Sequence, residues 1–173
     1  MTVDQIVDLL NPKNQNLPKL ELKSDFAKSD ITWVPVIEKK EADVAKLFSF
    51  VKKNELNGKK GEKLQVIHNN QLYYFVGLGP EKEVDSRKMR RFYGSIYLAS
   101  LSTKPKTITM VTDAKWLKEA TVGVLVAALN AKLINPNYKK VPVPTVELAG
   151  PTVKGPEAKK AHKAGLVLAE GKI

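Results

Sequence analysis

Apolar residues recur along this chain with two periods, and stretches of one period alternate with stretches of the other. Leu20-Glu21-Leu22-Lys23 alternates as a strand with one buried face does. Ile31–Ile37 is dense in β-branched and aromatic residues and reads as a buried strand. Pro35 within it argues for a sheet edge or a strand end, because proline has no amide to give to a ladder. Leu64–His68 and Leu72–Val76 are further strands. Asn69-Asn70 between them suits a tight hairpin, since asparagine tolerates left-handed backbone geometry. Thr107–Thr112 is another β-branched strand, and Val141–Leu148 alternates prolines with β-branched residues as an extended segment.

The remaining stretches repeat at helical spacing. Val3, Ile6, Val7 and Leu10 predict a short amphipathic helix that Asn11-Pro12 ends. Ala42, Ala45, Leu47, Phe48 and Val51 predict a helix over Glu41–Lys53, closed by a turn at Asn57-Gly58. Asp85–Leu101 reads as a helix with Asp85 or Ser86 as N-cap. Met89, Phe92, Ile96 and Leu101 would face the sheet there, and Gly94, Ser95, Ala99 and Ser100 would permit a close neighbour. Lys104-Pro105 breaks that helix. Lys115–Leu133 is helical and nearly all apolar from Thr121 to Leu129, so it should be largely buried, and Asn135-Pro136-Asn137 stops it. Gly150-Pro151 and Gly155-Pro156 bracket a hinge, and Glu157 opens a final helical stretch. Strands alternating with helices predict an α/β domain with a mostly parallel sheet, helices on its faces and one hairpin.

Composition narrows this picture. A length of 173 residues suits one domain with a terminal appendage. The chain has no cysteine, which excludes disulfides, thiolate catalysis, zinc ribbons and iron–sulfur clusters and fits a cytoplasmic setting. No stretch approaches the roughly 18 apolar residues of a membrane span. The first ten residues carry Asp4 and Asp8 and lack the basic, apolar and small-residue order of a signal peptide. The net charge is +11, a field that attracts polyanions. Most of it is scattered lysine, the pattern of a solvated surface.

Candidate chemistry is sparse. Gly77-Leu78-Gly79 closes a strand and could open a phosphate-cradling loop. Lys82 stands where the dinucleotide fingerprint needs a third glycine, and Pro80 removes an amide, so a structural turn is the stronger reading. Gly58-Lys59-Lys60-Gly61 has no Gly-Lys-Ser/Thr ending and enters a strand rather than a helix. His68 and His162 lie far apart in sequence and read as surface residues. Glu81, Glu83 and Asp85 could ligate a metal or act as an acid–base pair, but they fit better as charges favouring a helix N-terminus. No G-x-S-x-G nucleophile elbow occurs. Arg87, Lys88, Arg90 and Arg91 open a helix with four positive charges that cannot all point one way. They are candidate anion or nucleic-acid contacts, and equally a solvated face or a surface that pairs with acidic residues elsewhere.

The order of these pieces resembles the N-terminal domain of the M17 leucyl aminopeptidase family, the cytosolic peptidases that use two zinc or manganese ions. Five pieces carry the resemblance: Asp30-Ile31-Thr32-Trp33-Val34-Pro35-Val36; Asn57-Gly58-Lys59-Lys60-Gly61-Glu62; Phe75-Val76-Gly77-Leu78-Gly79 with its basic helix; Asn137-Tyr138-Lys139-Lys140; and the stretch Ala158–Ile173. The resemblance implies a three-layer α/β/α sandwich of macro-domain-like type over residues 1–150. It implies a linker helix over 151–173 that leads toward a catalytic domain. It further implies a hexameric, metal-dependent exopeptidase whose active sites lie in that catalytic domain. The family's metal carboxylates, its lysine ligand and its Asn-Thr-Asp-Ala-Glu-Gly signature have no counterpart here, so no catalytic or metal residue is assigned. Three roles follow. The first is a non-catalytic domain serving assembly and active-site access. The second is a stand-alone module for nucleic acid, or for an ADP-ribose-like ligand with Gly77 and Gly79 at its loop. The third is a structural subunit that joins a separate peptidase chain.

Overall fold

The computed structural model describes residues 17–134 and 142–171. The helix expected at residues 2–10, the stop at Asn135-Pro136-Asn137 and the Tyr138 segment lie outside them. Six strands form one sheet: β1 (Leu20–Lys23), β2 (Ile31–Ile37), β3 (Lys63–His68), β4 (Gln71–Gly79), β5 (Thr107–Val111) and β6 (Thr145–Ala149). Their order is β1-β6-β5-β2-β4-β3. Every neighbouring pair is parallel except the β3–β4 hairpin. Asn69 and Asn70 turn that hairpin with φ of 50° and 60°, the left-handed geometry that asparagine accepts.

Among the described residues four α-helices pack with the sheet: α1 (Glu41–Leu47), α2 (Ser86–Leu101), α3 (Leu117–Ile134) and α4 (Gly155–Gly171). Alternate residues of each inner strand serve opposite faces, as the strand period requires. Ile31, Trp33, Ile108, Met110, Val146 and Leu148 face the layer built by α2, α3 and α4. Val34, Val36, Phe75 and Val111 face the other way, where Phe48, Val51 and Leu56 cover them. The result is the three-layer α/β/α sandwich expected. Asp85 caps α2, its Oδ1 accepting the Lys88 amide at 2.8 Å.

Four expectations change. Pro35 does not mark an edge, because β2 lies between β5 and β4. The β5 ladder ends at Trp33–Met110, before Pro35, so the missing amide falls where that pairing has stopped. The helix expected to run to Lys53 stops at Leu47, where Phe48 leaves helical geometry and turns into the core at 4% exposure. β4 runs on past Val76 to Gly79. On α2, Tyr93 and Tyr97 are buried with Met89, Ile96 and Leu101, while Phe92 is only half-buried. Tyr93 reaches inward because its hydroxyl donates to the Val111 carbonyl at 2.9 Å.

Candidate functional site at the carboxyl edge of the sheet

The glycines at the end of β4 hold two turns together. The Gly77 amide donates to the Glu62 carbonyl at 2.7 Å, and the Gly79 amide to the Gly58 carbonyl at 2.7 Å. The Gly79 carbonyl accepts the Glu38 amide at 3.0 Å. A side chain at Gly77 would run into the Lys59 carbonyl, and Gly79 has φ of 87°. Both amides are therefore occupied by backbone, and neither is available to cradle a phosphate. Extension of the strand through Gly79 is the reason.

The four charges on α2 separate. Arg87 and Arg91 are exposed, one turn apart on the same face. Lys88 is half-buried and turned back toward the Gly79 turn, with Nζ 3.6 Å from the position a Cβ on Gly79 would take. Arg90 lies between α2 and α3, its guanidinium 3.8 Å from the buried Glu119 carboxylate. It is a helix-packing residue, and only Arg87 and Arg91 offer themselves to a partner in solution. The carboxylates before the helix are also placed: Asp85 is the cap, and Glu81 pairs with Lys40 at 3.0 Å.

The concave feature lies at the carboxyl ends of β2, β5 and β6. There the chain leaves β2 for α1 on one face, but leaves β5 for α3 on the other. Such switch points open a crevice in α/β sheets. This one holds about 200 Å³. Val34, Val44, Leu47, Leu78 and Met89 give it apolar walls, with Tyr93 among them. Asp43 on α1, Thr112 and Asp113 after β5, and Thr152 after β6 supply its polar groups, and Trp116 stands before α3. Asp113 Oδ1 accepts the Trp116 amide at 3.1 Å, and Thr152 Oγ1 accepts the Ala114 amide at 2.9 Å. Burial pushes the Tyr93 phenol far above its ordinary range, so it remains a hydrogen-bond donor and cannot serve as a base. None of these residues carried a motif. The signal that could find them is positional: each polar group of the sheet side follows the last residue of a strand.

His162 is not the plain surface residue expected, because α4 packs on α3 and half-buries it. Its Nδ1 lies 2.9 Å from Thr121 Oγ1, whose hydroxyl donates to the Leu117 carbonyl at 2.9 Å. The imidazole is then the donor to Thr121. Burial lowers its pKa from the ordinary 6.5. As pH falls below that value the unfolded chain takes up the proton first, so the docking of α4 weakens progressively with acid. The urea midpoint should drop between about pH 7.5 and about pH 5.5, and His162→Gln should flatten that drop. An unchanged slope in the variant would remove His162 from the account. His68 stacks on Phe50 with ring centroids 4.1 Å apart.

Among the described residues no three His, Asp or Glu side chains stand close enough to share a metal ion. The carboxylates and imidazoles among the described residues therefore do not fit a pair of divalent metals. No helix of the described residues is long and apolar enough to cross a membrane.

The family model for the N-terminal domain of the cytosol aminopeptidase family matches residues 38–132, more than half of the chain. Among solved structures, a tomato leucine aminopeptidase mutant aligns with a TM-score of 0.65 at 16% identity, over 91% of this chain and 37% of that one. The bottromycin maturation enzyme BotP aligns with a TM-score of 0.56 at 15% identity, over 83% of this chain and 31% of its own. The same enzyme in complex with Mn gives 0.53 at 15% identity, over 83% and 30%. At such identities the likeness establishes the fold. No curated protein matches the sequence. This chain spans about a third of the length of the solved structures it matches.

Proposed function

The chain belongs to the cytosol aminopeptidase family and carries its N-terminal domain, and from that premise we propose that it serves a metal-dependent leucyl aminopeptidase as a non-catalytic domain. Removal of a peptide's first residue, with two zinc or manganese ions, falls to a separate catalytic domain in cis or in trans. This domain contributes to assembly into a hexamer and shapes access to the active site, in the cytoplasm. Residues 151–173 lead toward the catalytic domain as its linker. The observation that carries the reading is the family match over residues 38–132.

Hydrolysis of leucine p-nitroanilide tests this directly. The chain alone, supplied with zinc or manganese, should show no turnover above buffer. Mixed with a catalytic domain of the family, it should co-elute as one larger species. Chelator-sensitive turnover by the chain alone would overturn the proposal, and so would separate elution.

A second reading is a nucleic-acid-binding module, favoured by the +11 charge and by exposed Arg87 and Arg91. Duplex DNA binding that falls steeply with salt would support it, and binding that ignores salt would not.

A further inference from the structure

We infer that Asn57-Gly58 is a self-modifying site, at which the Gly58 nitrogen closes on the Asn57 side chain, releasing ammonia and leaving isoaspartate, and that the Glu41 carboxylate gates the reaction. The dipeptide is the chain's only Asn-Gly. It stands in the turn that leads to β3, with Asn57 exposed and Gly58 buried. Space requires the glycine, because a Cβ at position 58 would run into the Glu38 backbone. The missing Cβ also leaves the Gly58 nitrogen unhindered as it approaches a neighbouring carbonyl carbon. The packing therefore retains the least hindered nitrogen that can follow an asparagine.

Two hydrogen bonds set the reacting groups. Asn57 Oδ1 accepts the Lys59 amide at 2.9 Å, so the side chain folds back over its own backbone. That donor polarises the side-chain carbonyl and faces the oxygen on which negative charge develops when its carbon is attacked. The Gly58 amide donates to Glu41 Oε1 at 3.2 Å. Attack requires this nitrogen to lose its proton. Beside a carboxylate that loss is disfavoured, because it would break the bond and set two negative groups face to face. Glu41's own amide, with those of Gly58 and Lys39, holds its carboxyl below the ordinary range against the opposing effect of burial, so it is ionised at neutral pH. The electrophile is thus poised while the nucleophile is withheld.

Once deprotonated, the Gly58 nitrogen bonds to Asn57 Cγ in a five-membered imide. The Cγ–Nδ2 bond breaks, and Nδ2 leaves as ammonia, which carries off the proton that Gly58 gave up. Water then opens the imide, at the backbone carbonyl to give isoaspartate or at the side-chain carbonyl to give aspartate. Isoaspartate adds a methylene to the main chain within a tightly held turn. The Gly58 carbonyl accepts the Gly79 amide at 2.7 Å, and Gly58 packs on the Glu38 backbone. A longer main chain there would release the end of β4.

The inference does not require the peptidase reading, and its test uses the full chain with no catalytic domain. Wild type, Glu41→Gln, Glu62→Gln and Asn57→Gln are incubated folded at neutral pH, and isoaspartate is quantified by peptide mapping. Glu41→Gln keeps an oxygen acceptor for Gly58 and removes the charge. We expect it to form isoaspartate at position 57 about tenfold faster than wild type, the effect of one pK unit on the deprotonation. Glu62→Gln removes an exposed charge from the same turn and should match wild type. Asn57→Gln would need a larger ring and should give no product. The Gly79 amide should be equally protected from hydrogen exchange in wild type and in fresh Glu41→Gln, and should lose protection as isoaspartate accumulates. Protection already lost in the fresh variant would make the acceleration a matter of local opening and overturn the gate. Equal folded rates in wild type and Glu41→Gln, including no product in either, would overturn the proposal. So would acceleration by Glu62→Gln, or isoaspartate forming first at another asparagine.

Discussion

Replacing Phe48 with alanine is expected to destabilise the domain by about 3–5 kcal/mol, measured as the loss in urea unfolding free energy. Phe48 is 4% exposed and stands at the centre of an aromatic cluster. Its ring centroid lies 4.9 Å from Phe26, 5.8 Å from Phe75, 6.0 Å from Tyr73 and 6.1 Å from Phe50. Three of these contacts are edge-on, the arrangement that aromatic quadrupoles favour. With Val51 and Leu56, Phe48 covers its face of the sheet, where α1 is a short helix with no buried residue of its own. Phe48 is thus what holds α1 down. Since Asp43, Val44 and Leu47 of α1 line the crevice, Phe48→Ala should also loosen that wall. A cost below about 1 kcal/mol would mean that the face is held by something else.

Gly123→Ala is the second large effect. The added Cβ would collide with the Arg90 carbonyl, a backbone atom that cannot step aside. Gly94 faces the same crossing: a Cβ there would stand 3.0 Å from the Gly123 carbonyl and 3.2 Å from Ala127 Cβ. The two glycines let α2 and α3 approach closely enough for Arg90 to reach Glu119. Separating the helices would open the main core, where Tyr93, Ile96, Ala120 and Val124 interlock. We expect a loss of about 3 kcal/mol, the upper end for overpacking, because the neighbour is backbone and not a flexible side chain. Gly171→Ala, with nothing within 4 Å, is the matched control and should change stability by less than about 0.5 kcal/mol. Equal effects at the two positions would show that the cost is conformational rather than steric.

These two positions also mark how far sequence reading carries. The pattern of Gly94, Ser95, Ala99 and Ser100 predicted a close neighbour for α2, but not that the neighbour would be Gly123 of α3. Periodicity places Phe48 on the apolar face of a longer helix, and its five-ring cluster draws on three separated stretches of chain. Gly77 and Gly79 read as a turn, yet they continue β4, and their partners, Glu62 and Gly58, become visible only with the strands assembled. Arg90 looked equivalent to its charged neighbours until the crossing with α3 enclosed it.

What the chain determined locally was the existence and kind of nearly every described element. The β-branched runs, the Asn69-Asn70 turn, the Asp85 cap and the apolar stretch of α3 all act through residues within a few positions of one another. Local backbone and solvent preferences suffice to write them. Alternation of strand and helix likewise set the parallel α/β class. Only the tertiary structure decided the strand order that puts Pro35 in a central strand, the early end of α1 at Phe48, the half-burial of Arg90 and His162, and the placing of Asp43 and Asp113 along one crevice. Those outcomes depend on contacts between residues tens of positions apart. The free energy of burying apolar surface against a particular partner exceeds the small local preferences that a periodicity records. The crevice is the clearest case, because six separate segments build it and none of them carries a signature of its own.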